Sequence, residues 1–157
     1  MKLFNPVTDY LRRSDYRFTQ SIMGQPLGTT LQSAFGVQLQ NTDDACTFIF
    51  SLLPSPYILD NIYVTYYKIT SSCLVDINFC LGGVGEEYDA KGQNLTDVLL
   101  PNPTGLFYYQ SCDLKPLFDT VSEYNPLDIA SIKFIHTASV PATFMVLANI
   151  YTVYHID

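Results

Sequence analysis

The stretch Cys73 to Leu81, CLVDINFCL, sets apolar side chains at Cys73, Val75, Ile77, Phe79 and Leu81 against Leu74, Asp76, Asn78 and Cys80. Successive side chains of an extended chain point to opposite faces, so this period of two specifies a strand with one face on a core. It also fixes the register, because a slip of one residue turns the whole apolar set outward. ACTFIFSLL repeats the pattern with Cys46, Phe48, Phe50 and Leu52, and Pro54 and Pro56 close it. ASIKFIHT turns Ile132 and Phe134 inward and Lys133 outward.

The remaining segments follow the same logic. A short strand is predicted at Phe35 to Gln40, then the long YILDNIYVTYYKI, a short apolar piece at Val98 to Leu100, a strand at GLFYYQS, and a last long strand, ATFMVLANIYTVYHI. GGVGEEYDAKGQ reads as an exposed loop and PNPTG as a turn. Helical spacing occurs only at Leu114, Leu117, Phe118 and Val121, where Pro116 weakens it, so at most one short helix or 3₁₀ turn is expected. Strands joined by Gly, Pro, Asn and Ser turns, without alternating helices, predict an all-β fold. The expected form is a jelly-roll-like antiparallel β-sandwich of about seven or eight strands. One such domain is expected over residues 35–157, after an extended N-terminal arm over 1–34 that contains Gly24, Pro26 and Gly28.

In NIYVTYYKI both faces are apolar or aromatic: Ile62, Val64 and Tyr66 on one, Tyr63, Thr65, Tyr67 and Ile69 on the other. Charged residues make up 15% of the chain, against roughly 25% in an average soluble protein. Contact centres exclude charge and favour Tyr and Phe, of which there are 12 and 10, with no Trp. The second face is therefore expected to be covered by another copy or another protein. Tyr63, Tyr67, Tyr108 and Tyr151 are the interface candidates on these strands.

The net charge of −7 is uneven. Lys2, Arg12, Arg13 and Arg17 fall in the first seventeen positions against Asp9 and Asp15, a balance of 4 − 2 = +2, which leaves 4 − 13 = −9 for the rest. A body that acidic does not hold nucleic acid by neutralising phosphates. The four basic residues become interface candidates for an arm lying across a neighbour's acidic surface; a frayed terminus with solvated charges is the plainer alternative. No run reaches the ~18–20 apolar residues of a membrane span, and the start lacks the apolar core of a signal peptide. The expectation is a cytosolic product with no membrane partner.

Chemistry-bearing patterns are sparse. Cys46, Cys73, Cys80 and Cys112 are too widely spaced for a zinc site and read as free thiols. His136 and His155 have no nucleophile motif beside them. Glu86, Glu87 and Asp89 share a Gly-rich loop, where a solvated hairpin tip is the plainer reading than a cation site. Asp60, Asp76 and Glu123 form a glycosidase pair only if the fold brings two of them together. No enzyme activity, cofactor or metal is expected.

The acidic sandwich, the basic arm and uncharged strands such as TFIFSLL and TFMVLANIYTVY resemble the single jelly-roll proteins of virus particles. The chain is similar in particular to the cement or decoration proteins of tailed-phage capsids. The resemblance is architectural, spans about Phe35 to Ile156 and carries no residue roles. It implies a homo-oligomer, a dimer or trimer, that bridges major capsid subunits in a virion assembled in a host cytoplasm. The alternative is a lectin-like carbohydrate-binding module, with Tyr63, Tyr67, Tyr108 and Tyr109 as its exposed aromatics and the lack of Trp against it. On the interface expectation, Tyr67→Asp or Tyr151→Asp weakens assembly, measured by native mass, more than it lowers the unfolding midpoint. Equal losses would make these rings ordinary core.

Overall fold

The computed structural model describes residues 16–19, 32–33, 36–40, 42–87, 90–120, 125, 128–137 and 145–156. In chain order these form β1 (Tyr16–Thr19), β2 (Gln32–Ser33), β3 (Gly36–Leu39), β4 (Ala45–Ser51), β5 (Tyr57–Lys68), β6 (Val75–Gly82), β7 (Gln93–Val98) and β8 (Gln110–Asp113). A one-turn helix α1 (Lys115–Phe118), β9 (Ile129–His136) and β10 (Met145–Ile156) follow.

The strands pair antiparallel in two sheets. One sheet runs β2-β3-β10-β5-β8, with β1 also on β10; the other runs β4-β9-β6-β7. From β3 onward, consecutive strands cross between the sheets at every step except β6 to β7. That alternation and these two strand orders make a jelly roll, the sandwich that the period-two patterns predict. Two segments of the expected arm, Tyr16–Thr19 and Gln32–Ser33, are strands of the larger sheet.

The inner faces are those read from the sequence. Cys46, Phe48, Phe50 and Leu52 meet Val75, Ile77, Phe79, Leu81, Ile132 and Phe134 from one sheet, and Ile62, Val64, Tyr66, Leu147 and Ile150 from the other. Phe48 and Phe134 pack edge to face at 6.0 Å between centroids, and Phe79 meets Phe118 of α1 at 5.7 Å. Pro116 does not weaken α1. It lies in the first turn, where a missing N–H removes no helical hydrogen bond.

Two segments differ from the sequence expectation. The mostly polar QNLTDV forms β7, starting before the apolar piece at Val98 to Leu100, because β6 supplies its backbone partners and Leu95 and Val98 pack against the core. GLFYYQS becomes strand only from Gln110. Before it, Gly105 (φ +93°) and Phe107 (φ +67°) turn the chain back, and the Phe107 N–H donates to the Lys68 carbonyl at 2.9 Å. A bulky residue at positive φ is disfavoured and holds only where its surroundings fix it.

The core also encloses polar groups. Lys68 is fully buried, and its Nζ donates to the carbonyls of Ser71 (3.0 Å) and Leu100 (3.2 Å), while burial lowers its pKa. All four cysteines are free. Burial pushes the Cys46 thiol up to about 12 and, as the main cause, the Cys73 and Cys112 thiols up to about 11. A thiol whose folded value is raised adds stability that is fully present below its unfolded value of 9.0 and is lost as pH rises toward the folded value. The urea midpoint of the native chain therefore falls more steeply above pH 9 than that of Cys46→Ala; parallel curves would refute the assignment.

Candidate functional site

The outer face of the larger sheet carries polar and aromatic side chains that the core excludes, together with the buried Val146 and Val153 of β10. On β5 these are Asn61, Tyr63, Thr65 and Tyr67, each half-buried, opposite the buried Ile62, Val64 and Tyr66. The register aligns Tyr151 of β10 and Asp113 of β8 with Tyr63, and Asn149 and Ser111 with Thr65. Two cross-strand rows result, each spanning three strands and roughly 10 Å.

The first row is aromatic. Tyr63 and Tyr151 stack with centroids 5.1 Å apart and ring planes 29° from parallel. Beside them the Asp113 carboxylate is fully engaged: Oδ2 accepts from Asn61 Nδ2 at 2.8 Å, and Oδ1 accepts from the backbone N–H groups of Ile62 (3.1 Å) and Lys115 (2.9 Å). The second row is hydroxyl and amide. Thr65 Oγ1 and Ser111 Oγ lie 3.1 Å apart, and Asn149 Oδ1 is shielded without a hydrogen-bond donor among the described residues. A shielded, unpaired acceptor costs about 1–3 kcal/mol, so this row carries unmet hydrogen-bonding capacity.

Beyond the second row stands Tyr67, about 13 Å from Tyr63 by the strand rise. Its ring meets Tyr109 edge to face at 5.3 Å, and burial, then the nearby Tyr109, raises the Tyr67 phenol pKa. Tyr109 belongs to the loop turned outward at Phe107, which leaves Phe107, Tyr108 and Tyr109 at 68%, 65% and 50% exposure. At the other end of the face, His155 Nδ1 and Asp60 Oδ1 are 2.8 Å apart.

Tyr63, Tyr67 and Tyr151 thus share one face, and Tyr108 lies in the loop at its border. Arg17 is on β1, in register with Val153 of β10, which is itself aligned with Asn61. Lys2, Arg12, Arg13, Asp89 and Glu123 lie outside the described residues. The sequence reading missed Asn149, Ser111 and Asp113. Asn149 follows a register shift between Leu147 and Asn149, which breaks simple alternation, and the other two are placed by pairing with a strand about fifty residues away.

The other sequence candidates disperse. Asp60 belongs to the larger sheet, whereas Asp76 is on β6 of the other and accepts from the Asp97 N–H at 2.9 Å, so these two do not converge. Glu86 is engaged by the Gly83 N–H (3.0 Å) and by Lys91 Nζ (2.9 Å), which also reaches Asp128 at 3.0 Å. No cluster of three metal-ligating side chains occurs among the described residues. His136 is fully buried.

No protein-family model and no curated protein sequence matches the chain. Among solved structures it is similar to the xylan-binding module CBM15, with TM-score 0.50 and 12% identity over 89% of this chain and 97% of that one. A CBM36-1 domain of a multidomain xylanase from the hindgut metagenome of Trinervitermes trinervoides gives TM-score 0.47 and 9% identity, covering 88% and 96%. A family two carbohydrate esterase from Cellvibrio japonicus gives TM-score 0.46 and 9% identity, covering 90% of this chain but 34% of that one. The chain thus spans about a third of that esterase. At 12% identity the likeness to CBM15 is one of fold, and it agrees with the β-sandwich described above.

The stacked pair has a measurable energy. A double-mutant cycle on Tyr63→Ala and Tyr151→Ala is expected to give a coupling of about 0.5–1.5 kcal/mol in unfolding free energy. A coupling near zero would mean that the rings do not stack in solution.

Proposed function

We propose that the chain is a carbohydrate-binding β-sandwich module whose binding face is the outer side of the six-stranded sheet. The observation that carries this reading is the pairing of the Tyr63–Tyr151 stack with the Asn149–Thr65–Ser111 row beside it. A sugar ring offers an apolar C–H face to an aromatic surface and a rim of hydroxyls that both donate and accept. The face provides both halves of that complement, with Tyr67 and Tyr109 closing its far side. Binding sites of this kind combine apolar contact area with a few polar groups that fix orientation. Tyr63 and Tyr151 supply the platform, and the second row supplies the hydrogen bonds.

The charges narrow the ligand. Asp113 is fully engaged, Asp60 is beside His155, and the chain as a whole carries −7. A neutral glycan suits this face better than a uronate or sulfate polymer, which like-charge repulsion disfavours. In this reading the module binds without transforming its ligand, since the aligned rows hold no acid–base pair at the spacing that glycoside hydrolysis uses. It supports the lectin-like alternative drawn from the sequence over the shell-bridging one. A second reading, a virion subunit that bridges shell proteins, is favoured by the exposed aromatics Phe107 and Tyr108.

Affinity electrophoresis and titration calorimetry over a panel of neutral and acidic polysaccharides test the first reading. Binding to at least one neutral polymer is expected, with Tyr63→Ala weakening it tenfold or more, which is about 1.4 kcal/mol. Failure to bind any polymer, together with co-sedimentation with assembled shells, would favour the second reading.

A further inference from the structure

The outer edge of β4 is a strand edge with nothing to deter pairing. Sheet edges present unpaired N–H and C=O groups, and proteins protect them by shortness, bulges, charge or proline. The other edge strands of this sandwich carry such devices. β8 is four residues long and β2 is two. β7 has a register shift opposite Val75–Ile77 and a residue at positive φ, Asp97 (+53°). β4 has seven residues, ACTFIFS, with no proline, glycine, charge or register shift against β9.

The pairing with β9 shows which backbone groups this edge offers. Leu52 N–H donates to the Asp128 carbonyl at 2.9 Å, and His136 N–H donates to the Asp44 carbonyl at 2.9 Å. Residues in an antiparallel pair alternate between facing the partner strand and facing away. With the register Ala45↔Ile135 through Ser51↔Ile129, the even positions therefore face β9, and Ala45, Thr47, Ile49 and Ser51 turn their backbone groups outward. Among the described residues no strand takes them up.

We infer that β4 pairs with β4 of a second copy, antiparallel about a two-fold axis, joining the two four-stranded sheets into one continuous sheet. A two-fold antiparallel pairing always matches a strand's outward positions to themselves, and on this uncharged strand it opposes no like charges, which is what favours a second copy as the partner. Centred on Phe48, the arrangement sets Thr47 opposite Ile49 of the second copy and Ile49 opposite its Thr47, so accessible outward backbone groups meet at both pairs, while Ala45, 4% exposed, lies at the covered end of the edge. All four outward residues are uncharged, so two chains of net charge −7 approach where neither presents a carboxylate on the joining strand. Ile49 (38% exposed) and Ile129 (49%) border a depression of about 390 Å³ with Cys80 and Ser131 on the outer side of the same sheet. Pairing brings the apolar rims of two copies together, which adds side-chain burial to the backbone bonds. An isologous edge contact closes at two subunits.

This inference is independent of glycan binding, since the joined edge belongs to the other sheet. Sedimentation equilibrium across micromolar concentrations, on the full chain, is expected to show a reversible dimer. Ile49→Pro removes one outward N–H that the subunit itself does not use, a position where an edge strand tolerates proline. It should raise the dimer dissociation constant tenfold or more while leaving the circular dichroism spectrum unchanged. Thr47→Lys, which keeps every backbone donor but sets like charges across the axis, should do the same, and serves if the proline variant misfolds. A monomeric native chain overturns the inference, including one that takes up an added foreign strand at this edge. So does a trimer, or a dimer that survives both substitutions in folded protein.

Discussion

The pairing of β5 with β10 is the contact on which the rest of the structure depends. These are the two longest strands, each of twelve residues, and they lie side by side in the larger sheet from Met145↔Lys68 to Ile156↔Tyr57. Their inner sides supply Leu59, Ile62, Val64, Tyr66, Leu147, Ile150 and Tyr154 to the core. Their outer sides supply the stacked tyrosines. One register serves both, because a slip of a single residue would bury Tyr63 and expose Ile62. The hydrophobic effect therefore positions the aromatic face indirectly: it drives the inner set to close on the opposite sheet, and the pleat then delivers the outer set to its place.

Polar burial at one end of the sandwich tightens this arrangement. Lys68 ends β5 inside the protein, with its ammonium on the carbonyls of Ser71 and Leu100, and the Tyr66 hydroxyl donates to the Pro101 carbonyl. Two neighbouring inward residues of one strand thus hold the loop that leads toward β8. The Lys68 carbonyl holds the same region from the other side through Phe107. Buried groups of this kind are costly unless bonded, and here their bonds fix where Tyr108 and Tyr109 emerge.

Much of the fold was legible because its strands carry strict alternation. CLVDINFCL, ACTFIFSLL and ASIKFIHT each have an inner set that the structure buries without exception, and NIYVTYYKI divides between core and outer face as its pattern requires. What escaped the sequence has no local signal. β7 is mostly polar, with only Leu95 and Val98 packed against the core, and becomes a strand by pairing with β6. The turn at Phe107 needs a positive φ at a residue type that does not advertise one. The outward side of β10 carries Val146, then Asn149, Tyr151 and Val153, because the register shift after Leu147 inserts Ala148. Alternation counted from either end misplaces one part of that face. The Tyr63, Tyr67 and Tyr151 cluster was therefore half visible: the tyrosines by parity, their polar neighbours only through tertiary pairing.

β10 is hydrogen-bonded to β5 along one side and to β3 and β1 along the other. It is also the last of the ten described strands in chain order. Three earlier strands of the larger sheet, β1, β3 and β5, consequently wait, unjoined at this position, until β10 arrives. Such long-range closure is slow relative to local structure. During synthesis the smaller sheet can assemble from β4, β6, β7 and β9, while its partner layer stays open and its greasy inner side stays wet. Closure of the larger sheet thus waits on β10.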